Sequence, residues 1–138
     1  MFGLFESNEQ KAEKFYRRGL AEFRCHNSLA ALECLQHAVD LDPRHACAWH
    51  DMSVLVGQRG GDWTLAKQYM EKAITIEPER FPDAWKGLAI IEKQLGNEER
   101  ATELFKMVID KYGWDPSKDL SIKDGERTWL EQHGCYSV

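Results

Sequence analysis

The sequence lacks the features of membrane and secreted proteins. None of its apolar stretches approaches membrane-spanning length, and the short apolar run at the N-terminus, MFGL, is broken by Gly3 and has no basic leader. The four cysteines include no CxxC pair. Without a secretion signal, such cysteines are expected to be reduced and buried rather than bridged. These absences predict a cytoplasmic protein that does not insert into a membrane.

The sequence also has little excess charge and little proline. Lys and Arg total 18 against 23 Asp and Glu, which gives a net charge of -5, and the basic residues form no run. Nucleic-acid binders carry a basic patch or stripe, so we expect no nucleic-acid partner. Only four prolines occur in 138 residues, which favours helices. This length suits one domain with a substantial core, and we predict a single domain over 1–138.

What the sequence does contain is an internal repeat. The small residues Ala31, Ala66 and Ala101 lie 35 positions apart. Two further sets keep this spacing: Leu35, Met70 and Phe105, and Ala38, Ala73 and Val108. An aromatic residue precedes each copy, at separations of 34 and 36: Phe15, Trp49 and Trp85. The register predicts repeats at about 12–45, 46–81 and 82–115. An N-terminal cap, 1–11, precedes them, and a tail with a capping helix, 116–138, follows.

Each repeat is predicted to form two helices. Small polar residues are typical helix N-caps, and the candidates are Ser7, Asn27 or Ser28, Asp62 and Asn97; Gln10 completes a capping box with Ser7. Apolar residues follow with helical spacing. We therefore predict an all-α fold of six helices and a further tail helix, at about 8–25, 28–41, 45–58, 63–76, 82–95, 98–112 and 122–133.

The pattern resembles the tetratricopeptide repeat, a helix–turn–helix unit of 34 residues. The family motif has an aromatic residue and Leu–Gly in the first helix, then Ala, Phe, Ala and a closing Pro. The second repeat carries most of it: Trp49, Met52, Ser53, Ala66, Met70, Ala73 and Pro78. The resemblance implies a solenoid of stacked helix pairs, in which the alanines lie where helices approach most closely. The outer ends of such a stack must be covered, and Phe2, Leu4, Phe5, Ile122, Trp129 and Leu130 are candidates.

The stretch PRHACAWHDM, 43–52, brings potential metal ligands together. Cys47 and His50 lie three apart, and Cys34 and His37 on the preceding helix could join them. The paired close spacing of a zinc site is missing, so we expect neither metal nor cofactor. No nucleophile motif or phosphate loop is present either, and His50 and Asp51, as helix neighbours, are not expected to face one another. We expect no catalytic residues and no enzyme; the alternative is a metal-binding or catalytic protein using Cys47 and His50.

The resemblance implies that the first helix of each repeat lines a concave groove for a protein or peptide partner. Leu20, Val54 and Ile90 share one repeat position and predict an apolar row along that groove. An extended peptide or a helix would fit such a row. The function predicted is that of an adaptor, assembly factor or chaperone. The candidate groove residues are Tyr16, Arg17, Leu20, Phe23, Arg24, His50, Asp51, Val54, Asp83, Lys86, Ile90 and Lys93.

Three other occupants of the row stay open: the tail helix around Trp129, the Phe2–Phe5 segment, or a second copy of the chain in a homodimer or scaffold.

The resemblance also implies a known ligand class, the acidic C-terminal tails of heat-shock chaperones, which a clamp of Lys, Asn and Arg holds. The matching positions in this chain are Tyr16, Leu20, Asp51, Asp83 and Gly87. Two of them are acidic and none is basic. We therefore expect no binding of such tails.

Overall fold

The computed structural model describes residues 5–79 and 82–137. Within these ranges the chain forms seven α-helices and no strand, which confirms the predicted all-α fold. Apart from the end of the third helix, every boundary lies within about two residues of its prediction. The helices are α1 (Asn8–Arg24), α2 (Ser28–Leu41), α3 (Ala46–Val54), α4 (Trp63–Ile76), α5 (Pro82–Gln94), α6 (Glu98–Tyr112) and α7 (Asp124–Gln132).

Side-chain caps fix where several helices begin. The Ser7 hydroxyl accepts a hydrogen bond from the Gln10 backbone at 3.1 Å, and the Gln10 side chain accepts from the Ser7 backbone at 2.9 Å. This is the predicted capping box. Asp62 caps α4 with its carboxylate, which accepts a hydrogen bond from the Leu65 backbone N–H at 3.0 Å. Asn97 stands at the N-cap of α6 but makes no side-chain cap; its amide donates to the buried Glu92 carboxylate at 2.7 Å.

The end of α3 differs from the predicted single helix over 45–58. After Val54 the backbone continues as one π-helical turn, Leu55–Arg59, before the turn into α4. A Cβ atom at Gly57 would lie 2.8 Å from the Trp63 ring. Glycine is therefore needed where this wider turn meets the start of α4.

The helices divide into two units, residues 1–79 and residues 80–138. The first unit contains α1 to α4, and its helix crossings are built on alanines with no exposed surface: Ala12, Ala31, Ala38, Ala48, Ala66 and Ala73. A larger side chain at these positions would push helices apart. Leu35, Met52 and Met70 fill the remaining core space.

The second unit contains α5, α6 and the tail with α7. Ala84, Ala89 and Ala101 are its buried small residues, and Leu104, Phe105 and Val108 form the apolar centre.

Ile122 and Leu130 of the tail are buried in the second unit, as predicted for a C-terminal cover. At the other terminus the prediction for Phe5 is wrong, because its side chain is 92% exposed and covers no part of the stack. Phe2 and Leu4 lie outside the described residues. The single domain over 1–138 and its repeat boundaries stay predictions.

No helix within the described ranges is long and apolar enough to cross a membrane.

Candidate functional site

The first unit carries an apolar hollow between α1 and α3. Its volume is about 200 Å³. Leu20 and Phe23 of α1 face Val54 of α3 across it, and the buried Leu35 and Leu55 lie among its walls. We call this the first-unit hollow; its lining residues are Gly19, Leu20, Phe23, Leu35, His50, Asp51, Val54 and Leu55.

Phe23 is held in place at one end of the hollow. The Arg59 guanidinium lies over the Phe23 ring, 4.9 Å from its centroid, and donates a hydrogen bond to the Ser28 hydroxyl at 3.1 Å. A cation above an aromatic face is attracted by the ring quadrupole. Phe23 nevertheless keeps 37% of its surface exposed, a high value for a large apolar side chain. The hollow therefore has an aromatic wall that is oriented and still accessible.

The polar rim of the hollow centres on Asp51. Tyr16 donates its hydroxyl to Asp51 Oδ2 at 2.9 Å, which links α1 to α3. Burial, with the Asp51 carboxylate as a second cause, raises the pKa of Tyr16, so its hydroxyl keeps the proton and remains a donor.

Asp51 also contacts its chain neighbour. Asp51 Oδ1 lies 3.0 Å from His50 Nδ1. The prediction that these two side chains would not face one another is wrong. One carboxylate oxygen is directed at Tyr16, which leaves the other in reach of the neighbouring ring. A carboxylate oxygen has two acceptor positions, so Asp51 can accept further hydrogen bonds from a ligand.

A second link between α1 and α3 is built on His45. The sequence placed His45 at a helix start, and the structure adds that it is the N-cap of α3, where its Nδ1 accepts from the Ala48 backbone at 3.1 Å. Its Nε2 lies 2.9 Å from Glu13 Oε2. Since Nδ1 is an acceptor, Nε2 carries the proton and donates to the carboxylate. That hydrogen bond is the main cause that lowers the pKa of Glu13.

The other predicted groove residues of the first unit lie outside the hollow. Arg17 is exposed on α1 and pairs with Glu13 at 3.1 Å, and Arg24 is exposed in the last turn of α1. Five of the predicted groove residues line the same hollow: Leu20, Phe23, His50, Asp51 and Val54. Tyr16 is joined to them through its hydrogen bond to Asp51.

The ligand-type side chains of the stretch 43–52 and its preceding helix are spread over different surroundings. Burial raises the pKa of the Cys34 thiol. The His37 ring lies against Phe15, with centroids 5.0 Å apart. Among the described residues, no group of three or more His, Cys, Asp and Glu side chains is placed to hold a metal ion.

In the second unit three of the four predicted groove residues lie against the tail: Lys86, Ile90 and Lys93. Lys86 Nζ lies 2.9 Å from Asp119 Oδ2 and 3.6 Å from the exposed Asp83 carboxylate. Lys93 lies over the Trp129 ring at 5.1 Å. Ile90 borders a cavity of only about 10 Å³, which we call the second-unit hollow; its other lining residues are Lys93, Phe105, Trp114, Ile122, Glu126, Trp129 and Leu130.

Asp119 fixes the tail over the second-unit hollow. It accepts hydrogen bonds from Ser121, from Lys86 at 2.9 Å and from the Trp114 indole at 2.8 Å. The bonds from Ser121, then those from Lys86 and Trp114, hold the pKa of Asp119 well below its usual range. Arg127 of α7 donates to the Asp119 carbonyl oxygen at 2.8 Å and so ties the helix to this loop.

No protein-family model and no curated protein matches the sequence. Solved structures do. The crystal structure of MamA protein is 26% identical, with a TM-score of 0.68, over 82% of this chain; the match spans 61% of the MamA chain. The chain therefore corresponds to about three fifths of that relative.

Two further similar structures match over nearly their whole length. The first TPR domain of Spaghetti (RPAP3), bound to the HSP90 peptide SRMEEVD, has a TM-score of 0.75 at 15% identity and covers 93% of this chain and 97% of its own. The N-terminal domain of stress-induced protein-1 (STI-1) from C.elegans has a TM-score of 0.71 at 14% identity and covers 94% and 97%. Together with the repeat register and the paired helices, these likenesses show that the chain has the helical-repeat fold of tetratricopeptide repeat domains.

Proposed function

We propose that the chain is a non-enzymatic protein-interaction module, and that a segment of its partner inserts an apolar side chain into the first-unit hollow. The observation that carries this proposal is the open apolar space between Leu20, Phe23 and Val54. Open apolar surface of this kind is a common mark of interaction sites. Filling the hollow would remove apolar area from water, which stabilises a complex by about 25 cal/mol per Å².

The rim chemistry constrains the partner. The similar domain of Spaghetti binds an acidic peptide, but the positions of this chain that match the family clamp include Tyr16 and Asp51, which are hydrogen-bonded to each other. A carboxylate on the partner would meet the Asp51 carboxylate, and like charges repel at short distance. We therefore propose a partner segment that is apolar and carries hydrogen-bond donors, rather than an acidic tail.

The finer role that we propose is an adaptor, assembly factor or chaperone that acts through this one contact. Capture of a second copy of the chain would assign the same hollow to self-association.

The experiment compares partner capture by three forms of the tagged protein in native lysate, measured by quantitative mass spectrometry. The test variant combines Leu20→Asp and Val54→Asp, which places charge in the hollow. The control is Leu29→Asp, at a leucine that is 76% exposed on α2 and does not line the hollow. Thermal melts check that all three forms are folded.

We expect at least one protein to be captured by the wild type and the Leu29 variant and lost with the double variant. Equal capture of every partner by a folded double variant would contradict the proposal.

A further inference from the structure

The second-unit hollow shows how this fold fills such a space. Trp129 of α7 packs against Phe105, with ring centroids 5.8 Å apart, and Lys93 lies over its indole. Together with Trp114 and Ile122, it leaves a cavity of about 10 Å³ beside Ile90. A tryptophan from the neighbouring helix thus fills most of the space beside the first helix of the repeat.

The corresponding position in the first unit is Asp51. Asp51 lies six residues after His45, the N-cap of α3, and Trp129 lies six residues after Lys123, the N-cap of α7. Both side chains face the hollow of their own unit. The short carboxylate of Asp51 cannot fill the space that an indole occupies in the second unit, and about 200 Å³ is left open.

The size of the first-unit hollow suits one large aromatic side chain. An apolar protein cavity of roughly 150 Å³ binds benzene, so a hollow of about 200 Å³ has room for a larger, bicyclic ring. A leucine side chain would leave part of the wall without contacts, and such unfilled space weakens packing. The aromatic wall formed by Phe23 further favours a flat ring, because aromatic pairs gain attraction beyond the area that they bury.

The rim of the hollow suits an indole in particular. An indole has one donor, its N–H, and no acceptor, and the Asp51 carboxylate offers acceptor positions at the edge of the hollow. The same chain contains this pairing, because the Trp114 indole donates to the Asp119 carboxylate at 2.8 Å. An indole in the hollow would therefore find both its apolar and its polar requirement met.

We propose that the partner segment places a tryptophan side chain in the first-unit hollow and donates its indole N–H to Asp51. This inference rests on the proposed function and adds the identity of the inserted side chain. The partner is thus a protein segment that presents an exposed tryptophan without a neighbouring acidic residue, since a carboxylate there would face Asp51.

The test titrates three small probes into the ¹⁵N-labelled chain and follows backbone amide shifts by NMR. The probes are N-acetyl-tryptophan amide, its 1-methylindole analogue, which lacks the N–H donor, and N-acetyl-leucine amide. We expect the tryptophan probe to shift the amides of 19–23 and 50–55, and the methylated probe to bind about tenfold more weakly, as expected for the loss of a hydrogen bond to a charged acceptor. The leucine probe should bind more weakly than either.

A protein variant isolates the role of the carboxylate. Asp51→Leu should bring the tryptophan probe and its methylated analogue to equal affinity, whereas Asp83→Leu, at a carboxylate in the second unit, should leave the tenfold preference intact.

Each failure has a distinct meaning. Equal shifts with the leucine and tryptophan probes would overturn the tryptophan assignment and leave apolar docking standing. A methylated probe that binds the wild type as well as the parent would overturn the hydrogen bond to Asp51. If no probe shifts the hollow amides, the inference falls, and the capture experiment with the aspartate variants then decides whether the proposed function falls with it.

Discussion

The two hollows are built on the same repeat position and differ in what fills them. Leu20 and Ile90 each lie five residues after the aromatic residue of their repeat, Phe15 and Trp85. Beside Ile90 the tail leaves about 10 Å³; beside Leu20 about 200 Å³ stays open. An apolar residue at this position therefore does not by itself indicate a binding surface. Whether the hollow is open depends on the residue that the helix beside it presents, which is Asp51 of α3 in the first unit and Trp129 of α7 in the second.

The polar groups near the two hollows also differ in how the carboxylate is paired. In the second unit the first helix supplies a cation, Lys86, and the tail supplies the carboxylate of Asp119. In the first unit the carboxylate, Asp51, belongs to α3 and is paired with the Tyr16 hydroxyl. A segment that brings a carboxylate, as the tail does with Asp119, would therefore be repelled by Asp51 at the first-unit hollow. The predictions below test this difference, from the largest effect to the smallest.

Opening the second-unit hollow should be costly. Trp129→Ala removes the ring that packs on Phe105 and is expected to lower the free energy of unfolding by about 3 kcal/mol, as for other large-to-small core substitutions. Urea denaturation measures the loss. Phe23→Ala is the matched change in the open hollow and should cost less than half as much. Similar losses for the two variants would mean that both hollows are closed.

Asp119→Asn should weaken the tail in a pH-dependent way. The variant loses charged hydrogen bonds to Lys86 and Trp114, and we expect a loss of about 2 kcal/mol at neutral pH. Because the hydrogen bonds from Ser121, Lys86 and Trp114 lower the pKa of Asp119 below its ordinary value of 3.8, the unfolded chain binds the proton more readily than the folded protein. The stabilisation is full above that value and is lost as the pH falls below it.

The measurement is urea denaturation of wild type and variant at a series of pH values. The gap in unfolding free energy should be constant above about pH 5 and should narrow steadily below about pH 4. A gap that is independent of pH down to about pH 2 would show that the Asp119 charge contributes nothing.

Serine substitutions at the shared repeat position should separate the two units. Ile90→Ser is expected to cost about 1.5 kcal/mol, the lower end of the range for a buried apolar side chain, because Ile90 is half-buried beside the tail residues Ile122 and Trp129. Leu20→Ser and Val54→Ser should cost less, about 0.5 kcal/mol each, because these half-buried side chains border an open hollow. Thermal melts of the three variants give the comparison. A loss at Leu20 and Val54 as large as that at Ile90 would refute an open first-unit hollow.

The smallest expected effect is the response to an acidic peptide. The peptide SRMEEVD, which the similar domain of Spaghetti binds, should give no saturable heat with this chain at about millimolar concentration, because the carboxylates of the peptide would be repelled by the Asp51 carboxylate at the hollow. Isothermal titration calorimetry is the measurement. Saturable binding would contradict the sign that we assign to the rim.

The sequence was sufficient for most helix boundaries because local signals agree with one another. The start of α1 is indicated by the Ser7 cap, by Gln10 and by the apolar spacing. The alanine register indicates that α1 pairs with α2. The π turn after Val54 was not predicted. It depends on the close approach of Gly57 to Trp63, a tertiary contact that helical periodicity does not encode.

Five of the eight residues that line the first-unit hollow were among the predicted groove residues, but the sequence did not show which hollow would be filled. The repeat register selected Leu20, Val54 and Ile90, but whether the tail covers a given position depends on where Trp129 and Asp119 pack. The cap formed by His45 had one usable signal, since His45 precedes α3 as Asn27 precedes α2 and Asp62 precedes α4. The contact between His50 and Asp51 could not be predicted from the sequence, because it depends on the position of Tyr16, which lies on another helix.

The most direct test of the first-unit hollow is to close it as the second unit is closed. Asp51→Trp introduces at the position of Asp51 the same residue type that fills the second-unit hollow at Trp129. We predict that this variant stays folded, with an unfolding free energy equal to or above that of the wild type, and that it no longer captures the partners lost with the aspartate double variant. A variant whose introduced indole is seated in the hollow and that still captures every wild-type partner would contradict the hollow as the binding site.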